Sequence, residues 1–424
     1  MAKTPEELYA ERAKRVDDAI HLRMPDRIPI VPCADFFPIK YAGMTAEEAM
    51  YDYDKTYTAW KKMVTDFEWD EYVAPFIYSG IVFEHLGYKQ LRWPGHGVKP
   101  TSSYQFIEPG QVLEGRQVYA PMAAEEYDWF LDDPSDYMIR SYFPRISEAL
   151  EPLSKLPPIH GIHSWALGMF EALAAIGTPE FLGALESLSR AGAEAFKWSN
   201  SFTSFIDEMT ELGFPVFSLA VSHAPYDFIA DCLRGTRGAM IDMYRNPDKL
   251  LASCEKITPW MIKMGVDGAK TAGVPIISIF LHKGFDGLMS DEQYKTFYWP
   301  TLKKVVMGLI DEGLIPYLFT EGEYTSRLEI LRDVPKGKVV YHVERDIFKA
   351  KEALGDIACL TGGPPNSLLC TGTPDEVKDY CKKLIDIVGK GGGFILDPEV
   401  PMTDEDPINV KAMTDFFKEY GVYR

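Results

Sequence analysis

Three side chains in the second half of the chain have the types and spacing of a reactive centre. Glu321 follows the apolar run Ile315 to Phe319, His342 follows Val339 to Tyr341, and His282 follows Pro275 to Phe280. Each run is short and rich in β-branched or aromatic residues, so each reads as a buried strand. In a parallel sheet, reactive groups gather past the carboxyl ends of the strands. Glu321 and His342 are therefore expected on one rim. A carboxylate and an imidazole side by side could hold zinc and leave an open coordination position. The plainer reading is structural. Glu favours the positive end of a following helix, and a histidine past a strand is more often a hydrogen-bonded rim residue than a ligand.

The elements that must position these groups alternate regularly. Strands are expected near residues 28, 215, 275, 315, 339, 357 and 393, with at least one more within 71–76 or 159–163. Helical stretches lie between them. Thr4 caps the first, and Thr373 caps another, with Pro374 in the first turn and Glu376 at the capping-box position. About eight strands alternating with helices make a (β/α)8 TIM barrel with an N-terminal helical and small-β extension. The whole chain reads as one such domain. No GxGxxG or GxxxxGK[ST] follows a strand, which argues against an open nucleotide-binding sheet. Residues 71–125, rich in Gly, Pro and aromatics, read as an inserted arm of small β elements. Arms of this composition suit subunit contacts, the basis for expecting a homodimer.

Other candidates sit at predicted strand ends. Asp35 follows the first strand and reads as a rim acid or a turn cap. His223 lies in the loop after 214–219, and Asp397 and Glu399 follow the last strand. His160 and His163 are also candidates. Their spacing on a strand or loop puts them on opposite faces, which ranks them below His342.

Composition narrows the partners. The chain has 424 residues, 46% hydrophobic and 25% charged, with a net charge of −19. That balance argues against nucleic acid, whose phosphates call for Lys and Arg, and against an anionic membrane surface. The six cysteines are scattered with no CxxC, as in a reduced cytoplasmic protein. The amino terminus is polar and helix-capping, not signal-like. No apolar run approaches the ~20 residues of a membrane span.

The motif set resembles the uroporphyrinogen decarboxylase-like superfamily of barrels, which holds the haem-pathway decarboxylase and corrinoid-dependent methyltransferases. Its carriers are Arg23-Met24-Pro25-Asp26-Arg27-Ile28-Pro29, His282 to Gly287, Trp299-Pro300, Glu321-Gly322-Glu323-Tyr324, Arg327-Leu328, Gly372 to Val377, Gly392 to Leu396, and Asn409 with Ala412-Met413. Two departures matter. The decarboxylase's Arg-rich substrate loop is not visible after Ile30, where Val31 to Phe37 is apolar and aromatic. The His-x-Cys and Cys of the coenzyme M methyltransferases have Phe319, Glu321 and roughly Asp397 to Val400 in their places. What remains resembles the subgroup that demethylates methoxylated aromatics and passes the methyl group to a separate corrinoid protein. One member's zinc pattern is Glu-x14-Glu-x20-His. Glu321 and His342 match its second half, while Val306 stands where the first Glu would be.

The resemblance implies zinc on Glu321 and His342, with Asp397, Glu399, Glu323 or His282 as the third ligand, Asp397 first among them. The metal would draw electrons from the ether oxygen. His282, Asp35 or His223 would orient the substrate or supply a proton, and Phe36, Phe37 and Phe285 would pack on its ring. No DxHxxG corrinoid motif occurs, so a partner protein must bring the corrinoid. The rival readings are a decarboxylase of a porphyrin-like acid, a methylcobamide:thiol methyltransferase and a non-catalytic scaffold for the corrinoid partner.

Overall fold

The computed structural model describes residues 3–113, 116–158 and 167–423. His160 and His163 lie outside the described residues. Six strands form a continuous parallel sheet in chain order: β1 (Ala220–His223), β2 (Ile276–Leu281), β3 (Ile315–Thr320), β4 (Val340–Val343), β5 (Cys359–Gly362) and β6 (Phe394–Leu396). Three short extended segments close the ring. Val31 donates to Leu396 O at 2.9 Å and Leu396 donates to Pro29 O at 2.8 Å, so residues 28–31 pair with β6. Asp70 donates to Ile30 O at 3.0 Å, and Tyr72 bridges Val216 in parallel. Residues 215–217 then lead into β1. With the 28–31 and 70–73 segments, the six strands complete a (β/α)8 barrel. Of the two places expected to hold the additional strand, 71–76 is the one that contributes to this ring.

Side chains alternate in and out along each strand. The inward set includes Val31, Cys33, Val73, Phe217, Ile276, Tyr317, Phe319, Val340, Cys359 and Ile395, which form a buried cluster of their own. Val16, Ala19 and Ile20 of the first helix, Pro5–Ile20, join that cluster and so cover the amino-terminal end of the barrel. The outward set packs with the surrounding helices in a second, larger core.

Several helices are shorter than their composition suggests. Residues 45–70 break at Asp52, which ends Ala46–Tyr51 and caps Tyr53–Phe67 through its side chain. The acidic stretch 125–152 is a series of short helical turns, interrupted by Asp133-Pro134 and by Ser147 in extended conformation. The arm carries strands at Leu91–Pro94, Gly97–Val98, Gln105–Phe106, Val112–Leu113 and Arg116–Gln117, together with helix Gly80–Leu86.

Candidate active site

Strand register decides which polar groups meet at the barrel's carboxyl-terminal mouth. Phe319 on β3 is level with His342 on β4, and Thr320 is level with Val343. Leu281 on β2 is level with Thr320. Two inward layers follow from the alternation of side chains. By register the lower layer holds Phe280, Phe319, His342, Thr361 and Ile395, and Asp397, two residues past Ile395, reaches His342 at 3.0 Å. The upper layer, two residues or about 7 Å further along, holds His282, Glu321, Glu344 and Glu399.

In the upper layer, His282 Nδ1 lies 2.6 Å from Asp231 Oδ2, and His282 Nε2 lies 3.6 Å from Glu321 Oε1. Asp231 also accepts Lys283 Nζ at 2.9 Å, and Lys283 reaches Glu108 of the arm at 3.3 Å. Asp227 fixes the base of this group. Its carboxylate accepts the backbone N–H of His282 at 2.9 Å, that of Lys283 at 3.1 Å, and Tyr298 OH at 2.6 Å. Asp227 and Asp231 come from the helical segment 225–234 that follows β1. Spaced i and i+4, they share one helix face.

Charge follows from this packing. Burial alone would lower the His282 pKa, but Asp231, Asp227 and Glu321 outweigh it and raise it to about 9. His282 is therefore an imidazolium at neutral pH. Burial raises Asp227, helped by the neighbouring Asp231 charge, against the pull of its donors. Asp231 is lowered, because His282 and Lys283 outweigh its burial. Glu321 is raised by burial and by Glu344, against the pull of His282. His223, at the end of β1, is lowered by burial and by the His282 charge.

Gly322 sits at φ +90°, where an L side chain is strained, and a Cβ there would stand 3.2 Å from the Phe285 ring. Gly322 also donates its N–H to Glu344. Glycine at this position thus lets Phe285 lie against the chain directly after Glu321.

The lower layer is built differently. His342 is fully buried and stacks on Phe319 with ring centroids 3.7 Å apart. Its Nδ1 is 3.0 Å from both Thr361 Oγ1 and Asp397 Oδ2. Its Nε2 is 2.9 Å from Glu399 O. A carbonyl only accepts, so Nε2 carries the proton in this contact. Asp397 accepts in addition from Cys33 N at 2.8 Å and Tyr317 OH at 3.4 Å.

The residues singled out from sequence are thus distributed between distinct environments. Glu321 stands beside His282; His342 stands beside Asp397, one layer deeper. A zinc ion on Glu321, His342 and Asp397 would require those three to converge, whereas Glu321 faces His282 at 3.6 Å and stands two residues beyond Phe319, the residue level with His342. Among the described residues, no group of three or more His, Cys, Asp or Glu side chains is arranged to hold an ion. The donors as arranged do not make that zinc set. Glu323 hydrogen-bonds Thr325 in the following loop, and the carboxylate of Glu399 pairs with Arg345.

Asp35 accepts from Thr403 Oγ1 at 3.4 Å and is raised to about 6 by burial. Phe36, fully buried, meets the arm residue Tyr104 edge-on at 5.1 Å. Phe37 is buried in the outer core against Tyr41 and Phe67, at 5.9 and 6.0 Å. The half-buried rings beneath the upper layer are instead Phe76 and Phe280, perpendicular at 6.1 Å, with Phe280 5.4 Å from Phe319. Asp227, Asp231 and Glu108 were not singled out from sequence, nor were Phe76 and Phe280. The one available signal was the i, i+4 acid pair just past a barrel strand.

Comparison with known proteins agrees with this architecture. The family model described as Uroporphyrinogen decarboxylase (URO-D) matches residues 191–420. A uroporphyrinogen decarboxylase of Chlorobaculum parvum is 27% identical over 183 residues, 42% of this chain and 51% of that protein. One of Saccharophagus degradans is 26% identical over 159 residues, 37% of this chain and 44% of that protein. The chain thus spans about half the length of the curated relatives it matches. A solved structure, a methyltransferase from Methanosarcina mazei, superposes with a TM-score of 0.56 at 16% identity, covering 96% of this chain and 98% of that one. Among the described residues, no helix is long and apolar enough to cross a membrane.

Proposed function

The chain belongs to the uroporphyrinogen decarboxylase family, and from that premise we propose that it is a methyltransferase that demethylates a methoxylated arene in favour of a partner corrinoid protein. The observation that carries this reading is the His282 ring, held through Nδ1 by Asp231 at 2.6 Å with Nε2 facing Glu321 at 3.6 Å, two residues along β2 from the half-buried Phe280 that meets Phe76. An aryl methyl ether is a poor methyl donor because a phenolate must leave. A proton delivered to the ether oxygen makes that group leave more readily. The His282 imidazolium is a suitable donor, through Nε2, because Asp231 engages the other nitrogen.

The corrinoid supplied by the partner provides the nucleophile that accepts the methyl carbon. The carbon–oxygen bond breaks, its electron pair stays on oxygen, and His282 Nε2–H protonates that oxygen. The neutral imidazole left behind regains its proton from solvent at the mouth. Asp231 positions the ring and keeps it charged. Glu321 adds to that charge and borders the space in which the ether would sit. Phe76 and Phe280 stack on the ring, and Phe285 closes the side beside Gly322. Zinc is given no step in this scheme.

The curated relatives are named decarboxylases, which favours decarboxylation as the second reading. The charge of the mouth weighs against a polyacid substrate. Asp227, Asp231, Glu321, Glu344 and Glu399 crowd it, and the cations Lys283 and Arg345 are already paired with carboxylates. Incubation with methoxybenzoates and a reduced corrinoid protein tests the proposal. Formation of the methylated corrinoid with stoichiometric phenol release is the expected result. Release of carbon dioxide from a porphyrinogen, with no methyl transfer from any methoxyarene, would reject it. Elemental analysis of active protein tests the proton-donor role separately: stoichiometric zinc that is essential for turnover would assign activation of the ether oxygen to the metal.

A further inference from the structure

Helix Gly235–Arg245 follows the segment that carries Asp227 and Asp231 and so lies at the rim of the barrel mouth. Its inner face, with Ala239, Asp242 and Met243, is buried. At 100° per residue, Arg237, Met240, Ile241, Tyr244 and Arg245 fall within one outward arc of about 140°. Ile241 is 38% exposed and Tyr244 78%. Gln293, past the end of β2, donates to Tyr244 OH at 2.9 Å, which holds the exposed ring in place. The arm closes the other side. Gly235 sits at φ +71°, and a Cβ there would stand 2.7 Å from Pro109, so glycine lets the arm lie against the start of the helix. Between arm and helix runs an open groove of about 620 Å³, lined by Glu108, Pro109, Arg237, Met240, Ile241 and Tyr244.

Glu108 joins this groove to the mouth. It accepts Thr236 Oγ1 at 3.2 Å in the groove wall and Lys283 Nζ at 3.3 Å, and Lys283 reaches Asp231, which holds His282. Charge sets the helix face apart. Arg237 and Arg245 are exposed and, among the described residues, meet no carboxylate. By contrast Arg145 and Arg234 pair with Glu126 and Asp242, as the surplus of acids in a chain of net charge −19 would lead one to expect. We propose that this groove is the docking site of the corrinoid protein, which presents to it an apolar side chain flanked by carboxylates. The inference rests on the methyl-transfer reading above. An apolar floor, a fixed tyrosine and unpaired arginines are the residue types on which protein interfaces concentrate their binding energy. The chain as a whole repels an acidic partner, so two unpaired arginines on one rim helix give that partner a point of attraction and a defined orientation. They stand about 12 Å apart along the helix axis, wide enough to bracket a side chain seated on Ile241. A partner held there reaches over the mouth from the side of Asp231 and His282.

Methyl transfer from a methoxybenzoate to two acceptors, the reduced corrinoid protein and free cob(I)alamin, tests it on the full chain. Ile241→Asp should raise the KM for the corrinoid protein at least about tenfold. Arg237→Glu and Arg245→Glu should each raise it about fivefold, and the wild-type KM should climb with salt while theirs does not. Transfer to free cob(I)alamin should keep its wild-type rate in all three, since the free cofactor needs no docking face. An unchanged KM for the corrinoid protein in Ile241→Asp and Arg237→Glu, with wild-type transfer intact, overturns the docking site and leaves the reaction standing. Equal loss with both acceptors overturns it too, because the damage then lies in the chemistry. So does a change of oligomeric state in sedimentation of Ile241→Asp, which gives the face to a second copy. A wild type that methylates neither acceptor overturns the methyl-transfer reading and the docking site with it.

Discussion

Two histidines, each paired with an aspartate through Nδ1, occupy successive layers of the same barrel. His282 meets Asp231 at 2.6 Å and His342 meets Asp397 at 3.0 Å. The difference lies in what the other nitrogen meets. His342 Nε2 ends on a backbone carbonyl under a stacked phenylalanine, in a space with no access to solvent. His282 Nε2 opens toward Glu321 at the mouth, with the side chain about a third exposed. The same pair of residue types therefore serves as a core fastening in one layer and as a charged, reachable donor in the next. The chemistry of a His–Asp pair is set by the third neighbour more than by the pair itself.

The largest expected effect tests the lower layer. His342→Ala takes the histidine contact from Thr361 and the Glu399 carbonyl, leaves Asp397 with Cys33 N and Tyr317 OH alone, and opens a cavity beside Phe319. It should cost about 3 kcal/mol of stability by urea denaturation, with any loss of turnover tracking the loss of folded protein. A stable variant that is inactive would instead move the chemistry to this layer and erase the contrast. In the upper layer the pattern should reverse. His282→Ala should lower turnover about 10²- to 10³-fold, with the denaturation midpoint little changed because the side chain is partly exposed.

Asp231→Asn sharpens the comparison further. It keeps the ring's hydrogen bond but removes the carboxylate that holds His282 charged. The alkaline limb of the wild-type rate profile should lie near pH 9, the value to which His282 is raised. In Asp231→Asn that limb should move down toward the ordinary histidine range, so the loss of activity is greater at pH 8 than at pH 6. A structural role alone would lower the rate without moving the limb. Glu321→Gln should move it in the same direction by less, since the Glu321 contact is the longer one, at 3.6 Å.

The smallest effect is on stability against pH. The folded-state pKa of His282 is raised from 6.5 to about 9, so its stabilising contribution is complete below about pH 6.5 and is lost as pH rises through 9. Wild type should lose slightly more stability over that range than His282→Ala, by chemical denaturation at each pH.

Much of the frame was legible in the chain. Thr4, Thr45 and Thr373 cap helices with Glu7, Glu48 and Glu376 in reciprocal boxes, a local pattern that needs no distant partner. The β/α alternation followed from periodicity for the same reason. Glu321 and His282 were correctly expected just past their strands, because the carboxyl ends of those apolar runs are visible in the sequence; His342, expected at the end of its strand, lies inside β4, which runs on to Val343. Which of them meet was not visible. A strand's last residue and the first residue beyond it differ by one in sequence, yet the register between β3 and β4 sets Phe319, not Glu321, level with His342. Asp227 and Asp231 were hidden for a related reason. Their acid types are common on helices, and only the fold of segment 225–234 against the end of β2 turns them toward His282.

The sequence by itself determined the barrel's elements, their order and the rim on which its polar groups stand, because these depend on local propensity and on periods of two and 3.6 residues. Only the tertiary structure decided that Glu321 answers to His282 and that His342 answers to Asp397. Register and layer are properties of pairs of strands, and no single strand encodes how far its neighbour is displaced along it.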